Sequence, residues 1–171
     1  HAVILDNDSD RVDVLRKMGF KVFYGDATRL DILKCAGADE AKILIAAIDS
    51  PEINLSLVDT IRKEFPHLRV MVRAKSRLDA YDLIDAGISN IYRESLDTSV
   101  RLGIDALIAL GFRKYSAVRA GQNFIKYDET ALKKLAAHRH DQEAYIFNTR
   151  EQIEIQEQLL AADREANPDW V

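Results

Sequence analysis

From residue 1 to about Gly111 the chain repeats one rhythm: a short β-branched or apolar run, a polar turn, then a stretch with helical periodicity. The runs are Ala2 to Leu5, Val22 to Tyr24, Ile43 to Ala47, Val70 to Val72 and Asn90 to Tyr92. Each is short and continuously apolar rather than alternating, the pattern of strands buried on both faces of a parallel sheet. Parallel neighbours need crossover connections, and the intervening stretches supply them as helices. The rhythm therefore restricts the fold to α/β, with a mainly parallel, Rossmann-like sheet.

The helices carry their own punctuation. Ser9 is placed to cap the first, which carries Val12 and Leu15 on one face and stops at Gly19. Thr28 to Ala36 stops at Gly37, and Ser76 to Ala86 stops at Gly87. Ser50 and Pro51 form a cap and first-turn pair, Leu57, Val58 and Ile61 make an apolar stripe, and Pro66 ends the segment. A further helix runs from Thr98 to Leu110, with Leu102, Ala106, Leu107 and Leu110 as its apolar side. Beyond Gly111 no strand of comparable quality follows. Leu132, Leu135 and Ala136, then Ile153, Ile155, Leu159 and Leu160, predict helices, with Asn167 and Pro168 ending the last and Trp170 in a tail. The expected division is an α/β part over residues 1–112 and a helical extension over 113–171.

A length of 171 residues allows one domain with an appendage. Lys and Arg number 24 against 28 Asp and Glu, a net charge of −4, which gives no electrostatic footprint for nucleic acid. The longest apolar run, Ile43 to Ile48, is far short of the roughly 20 residues a membrane-spanning helix needs. A single cysteine, Cys35, excludes an internal disulfide framework, suits a reducing cytosol, and reads as a small buried residue.

In open α/β sheets ligands bind beyond the carboxyl ends of the strands. Asp6 ends the first run, where a carboxylate can accept from ribose hydroxyls; an acid opening the next helix for dipole reasons is the plain alternative. Gly25, Asp26 and Ala27 follow the second run, either lying against an adenine ring or forming an ordinary turn capped by Thr28. The G-x-G-x-x-G phosphate loop is not present in these residues. If Asp6 is the ribose acid, that loop belongs about 20 residues earlier, together with the first strand of the sheet. Arg73 and Arg93 end the last two runs, and two guanidiniums at a sheet edge can hold an anion. The alternative pairs Arg93 with Glu94, Asp97 or another surface acid. His138 and His140, two apart, do not share a helix face and make a poor metal pair.

The segment LDNDSDRVDVLRKMGFKVFYGDATRLDILKCAGADEAKILIAAIDSPEINLSL, Leu5 to Leu57, closely resembles the cytoplasmic nucleotide-binding domain of the glutathione-gated potassium efflux systems, the Kef family. LRK-x-G-x-KVFYGDATR, AGA-x-x-A and AID-x-P-x-x-NL carry the resemblance, which weakens after about Leu110. This domain type, called KTN or RCK, regulates many potassium channels and transporters. The resemblance implies a gate rather than an enzyme. Glutathione holds the system closed, and bulky glutathione adducts open it, so that potassium leaves as protons enter. An adenine nucleotide, AMP or NAD(H), occupies the Rossmann cleft. By the family pattern Asp6 meets the ribose, Asp26, Ala27 and Thr28 lie by the adenine, and Asn7, Ile48 and Asp49 complete the nucleotide set.

Arg93, in YRES, matches the arginine that holds glutathione in that family, and Asp128 stands where relatives carry an Asn that takes part. Met18 stands where they carry an aromatic that adducts displace. The resemblance further implies a homodimer built on the helix from about Thr98 to Leu110. It also implies a transmembrane antiporter part on the same full-length chain, a place at the cytoplasmic face of the inner membrane, and an ancillary flavin oxidoreductase known for some relatives. Two rivals remain. One is a KTN subunit of another potassium channel or transporter, gated by nucleotide alone. The other is an NAD-dependent oxidoreductase, ranked lower because no residue makes a persuasive catalytic acid or hydride-site partner.

Overall fold

The computed structural model describes residues 2–165. The expected helix stop at Asn167 and Pro168, and the Trp170 tail, lie outside the described residues. The chain forms two compact units. One holds β1 to β4 and residues 86–92, and the other holds α4 to α7.

In the first unit the elements alternate as the rhythm requires: β1 (Ile4–Asp6), α1 (Ser9–Lys17), β2 (Val22–Tyr24), α2 (Leu30–Cys35), a 3-10 turn at Ala38–Glu40, β3 (Ile43–Ala46), α3 (Pro51–Glu64) and β4 (Arg69–Ala74). β5 (Ile91–Arg93) follows α4. β1 pairs with β2 in parallel, Asp6 opposite Tyr24, and β3 pairs with β4 in parallel, Ile43 opposite Arg69. The buried side chains of this unit include Val12, Leu33, Val58, Ile61, Phe65 and Val72, each no more than 2% exposed.

The strands fall into two sheets, β1–β2 and β3–β4–β5. A dinucleotide-binding sheet runs 3-2-1-4-5-6. With strand 1 not among those present, strands 2 and 3 separate from 4, 5 and 6, which is the observed split. The expectation that every strand is buried on both faces is corrected: in β3, Ala46 is buried, whereas Ile43 and Ile45 on the opposite face are 50% and 72% exposed.

Local chemistry shifts several boundaries. α1 is capped by Asp8, not Ser9; the Asp8 carboxylate accepts the Asp10 and Arg11 N–H groups at 3.0 and 3.1 Å. α2 starts at Leu30 rather than Thr28, because Asp26 draws Thr28 into a local turn. Cys35 is exposed rather than buried, since Leu33 takes the inward position of this short helix. α3 is capped by Ser50, whose hydroxyl accepts the Ile53 N–H at 3.2 Å, and ends just before Pro66. Gly19 and Gly111 close α1 and α5 with φ of +88° and +98°, the left-handed conformation that a side chain penalises.

The second unit is helical: α4 (Arg77–Asp85), α5 (Leu96–Ala109), α6 (Lys114–Ala136) and α7 (Gln142–Glu165). A reciprocal box starts α4. Asp79 accepts the Lys75 and Ser76 N–H groups, and the Ser76 hydroxyl accepts the Asp79 N–H, all at 3.1 Å. Only part of the predicted apolar side of α5 packs toward α6: Leu107 does, together with Val100 and Ile104, whereas Leu102 and Leu110 are 71% and 77% exposed. Gly121 makes that contact: a Cβ there would stand 2.6 Å from the Ile104 Cδ1. Among the described residues no helix is long and apolar enough to cross a membrane, and no group of side chains could hold a metal ion.

Candidate ligand-binding site

β1 and β2 bring two of the expected segments to one sheet edge. The Asp6 carbonyl accepts the Gly25 N–H at 3.0 Å, so Asp6 and the turn from Gly25 to Thr28 are neighbours. The Asp6 carboxylate accepts the Asp8 N–H on Oδ1 at 2.9 Å and the Arg11 guanidinium on Oδ2 at 3.0 Å. A carboxylate offers about four acceptor positions, so two remain for a pair of hydroxyls. Asn7 is exposed in the turn that follows. Asp26 Oδ1 accepts both the backbone N–H and the hydroxyl of Thr28, each at 2.8 Å. These two bonds, the backbone one foremost, hold the Asp26 carboxyl below its ordinary value of 3.8. Ala27 adds only a methyl group between them. The groups present fit a nucleoside, with a ribose acceptor beside a small-residue turn; no glycine loop for a pyrophosphate stands among them.

Ile48 and Asp49 lie beyond the carboxyl end of β3. The Ile48 carbonyl accepts from the buried Asn54 side chain at 2.8 Å, which ties the first turn of α3 to this edge. Asp49 pairs with Arg73 Nη2 at 2.5 Å, and Arg73 also donates to the Ala47 carbonyl at 2.9 Å. This corrects the expectation of Arg73 as an anion fork, because its guanidinium is engaged by residues just beyond the end of β3. Met18 lies in the first unit at the end of α1, 67% exposed.

In the second unit Arg93 and Asp128 meet. Asp128, midway along α6, accepts from Arg93 on Oδ2 and from Arg77 Nη1 on Oδ1, the latter at 2.9 Å. The side chains of Arg93 and Asp128 are only 12% and 10% exposed. The partner of Arg93 is therefore an interior acid and not a surface one. Burial pushes the Arg93 guanidinium down from its ordinary value, and the positive charge of Arg77 adds to this while Glu129 opposes it. Arg77 also donates through Nε to the Tyr81 hydroxyl at 3.0 Å, and that hydroxyl lies 3.4 Å from the Tyr145 hydroxyl of α7. Burial and the Tyr145 contact push the Tyr81 hydroxyl up.

The cluster stands in the wall of a cavity of about 680 Å³ between α5 and α6. Its charged wall is Lys75, Arg77, Arg93 and Asp128, three cations against one anion. Leu96, Val100, Ile104, Leu107 and Phe124 make the apolar remainder. Such a lining has the chemistry to hold an anionic group carrying less polar matter behind it. Sequence reasoning missed Arg77: it sits 51 residues from Asp128, and nothing local distinguishes it from an exposed helix-start arginine. His140 and Arg139 serve a different purpose. Arg139 pairs with Asp82 at 2.6 Å and Asp85 at 2.8 Å, and His140 Nε2 lies 3.2 Å from Asp85, which fastens the α6–α7 turn to α4.

Comparison with known proteins places the chain in a family. The TrkA-N domain family matches residues 1–94, and the potassium efflux system KefB C-terminal domain matches residues 98–169. The glutathione-regulated potassium-efflux system protein KefC of Salmonella arizonae is 36% identical over 163 residues, 95% of this chain and 26% of that protein. The chain thus spans about a quarter of the length of that relative. A solved structure described as the Shewanella denitrificans Kef CTD in AMP bound form is 42% identical, with a TM-score of 0.73 over 80% of this chain and 84% of its own. The GsuK channel bound to NAD is 25% identical, with a TM-score of 0.55 over 60% of this chain and 18% of its own. The chain belongs to the TrkA-N domain family and is a KTN/RCK domain of the Kef type.

Proposed function

We propose that the chain is the ligand-sensing regulatory part of a potassium/proton antiporter that mediates potassium efflux. Glutathione holds it closed and glutathione adducts open it. The observation that carries this reading is the Arg77–Asp128–Arg93 cluster, with its buried carboxylate, in the wall of a cavity whose other side is apolar. It has the cationic excess that an acidic peptide requires, in a chain whose relative is named as glutathione-regulated. In this reading Arg93 and Asp128 hold glutathione, and Met18 moves when an adduct binds. An adenine nucleotide sits against Asp6, Asn7, Asp26, Ala27, Thr28, Ile48 and Asp49. The AMP-bound and NAD-bound neighbours support the nucleotide and leave both AMP and NAD(H) as its candidates. The chain then acts as a homodimer beside a transmembrane part of the same protein, at the cytoplasmic face of the inner membrane, with a flavin oxidoreductase as an ancillary partner. Its task is regulation and not turnover.

Calorimetric titration with glutathione and then with a bulky S-substituted glutathione tests the reading. Saturable binding of both at one competing site is expected. Binding of AMP or NAD with no response to either tripeptide overturns the gating assignment and favours a KTN subunit gated by nucleotide alone, the reading that the NAD-bound GsuK neighbour supports.

A further inference from the structure

The Arg77–Asp128–Arg93 cluster combines features that a simple anion site does not need. An anion site gains nothing from a buried carboxylate at its centre, because that carboxylate occupies guanidinium donors and repels the ligand's own charge. Asp128 nevertheless lies 10% exposed between two arginines, with one oxygen on each. Two of its four acceptor positions are taken by those guanidiniums, and two remain. Arg77 and Arg93 leave the net charge positive after Asp128 is counted, and Lys75, in the same wall, adds to that excess. The cavity wall therefore offers cationic donors and one acidic acceptor side by side, backed by the apolar side chains of α5 and α6.

We propose that this cluster is a recognition site for a free α-amino-acid headgroup, with the arginines and Lys75 taking the carboxylate and Asp128 taking the ammonium. The ligand class is an α-amino acid or a γ-linked peptide whose α-amino group is unblocked, its remaining atoms lying along Val100, Ile104 and Phe124. This rests on the reading that the cluster holds glutathione, whose γ-glutamyl end carries such a headgroup, and it assigns Asp128 as the residue that selects for the ammonium. The pairs made by Arg93 and Asp128, whose side chains are 12% and 10% exposed, are charge-assisted and largely desolvated, which makes loss of one partner costly.

Two ligand pairs, each differing only by a blocked amine, test the assignment on the unmodified chain: glutathione against N-acetylglutathione, and L-norleucine against N-acetyl-L-norleucine. Calorimetry is expected to give binding that weakens roughly tenfold or more on acetylation. Asp128→Asn is expected to bring that ratio close to one, and a thermal melt of the variant reports whether it folds; the wild-type ratios decide the matter if it does not. Glutathione binding with equal affinity in both forms overturns the headgroup assignment and leaves the glutathione reading standing. Norleucine binding with amine dependence, without any binding of glutathione, supports the headgroup assignment and overturns the glutathione reading. No binding of either free amine overturns both.

Discussion

Arg93, the last residue of β5, and Asp128, midway along α6, form a buried ion pair across 35 residues of sequence. Truncating Arg93 to alanine leaves Asp128 with Arg77 alone. Removing one partner of a fully isolated buried pair costs 3–5 kcal/mol. The second arginine limits the loss here to about 1–3 kcal/mol. Chemical denaturation of Arg93→Ala checks this. An unchanged midpoint would mean that the pair contributes nothing to folding.

The α5–α6 contact predicts opposite signs at two glycines. Gly103 of α5 meets no atom within 4 Å of an added Cβ, so Gly103→Ala is expected to stabilise by up to about 1 kcal/mol through helix propensity. Gly121 of α6 faces Ile104 and Val100, with a Cβ 2.6 Å from the Ile104 Cδ1 and 3.0 Å from the Val100 Cγ1. Both neighbours are β-branched and stiff. Gly121→Leu is expected to destabilise by about 1–3 kcal/mol. Thermal melts of the two variants beside the wild type measure the difference in sign.

Asp26 supplies a pH prediction. Its folded pKa lies below the ordinary 3.8 because Thr28 donates to it twice. A depressed carboxylate contributes stability that is fully present above the unfolded value and lost as pH falls through the folded one. The contribution is therefore constant at neutral pH and disappears only in acid below 3.8. In Thr28→Val the hydroxyl bond goes and the backbone bond stays, so the Asp26 titration moves up toward the ordinary value. Carboxyl carbon shifts followed by NMR against pH report it, and an identical midpoint in both proteins would remove the hydroxyl from the account.

Ser50→Ala removes the acceptor for the Ile53 N–H at the start of α3. The expected loss is about 1 kcal/mol, the usual cost of a deleted N-cap. Because Asn54 in the same turn holds the Ile48 carbonyl, increased amide exchange is expected at residues 48–54 as well.

The legible part of the sequence was the part whose causes are local. Short apolar runs and glycine stops located the five strands and the helices between them, since one turn of chain settles each. Asp8 displaced Ser9 as a cap because the two compete within one turn, and only the resulting N–H geometry decides. That Val100 and Ile104 join Leu107 on the packed side of α5 was illegible for a different reason. The helix is apolar on more than one side, and the choice rests on a glycine in α6 that lets Ile104 approach. The Arg77–Asp128–Arg93 cluster was half legible: Arg93 was singled out by its place at the sheet edge and by resemblance and Asp128 by resemblance, whereas Arg77 joins them only through tertiary structure. Arg73 was expected beside a ligand and is held by Asp49 instead, a pairing between β4 and the loop after β3 that spacing along the chain does not reveal.

Side-by-side titration of the wild-type chain and Arg93→Ala with glutathione, each followed by AMP, tests the central claim most directly. Saturable glutathione binding in the wild type, absent in Arg93→Ala while the AMP isotherms coincide, is the predicted result. Equal glutathione affinity in the two proteins would contradict the assignment of the Arg77–Asp128–Arg93 cluster as the ligand site.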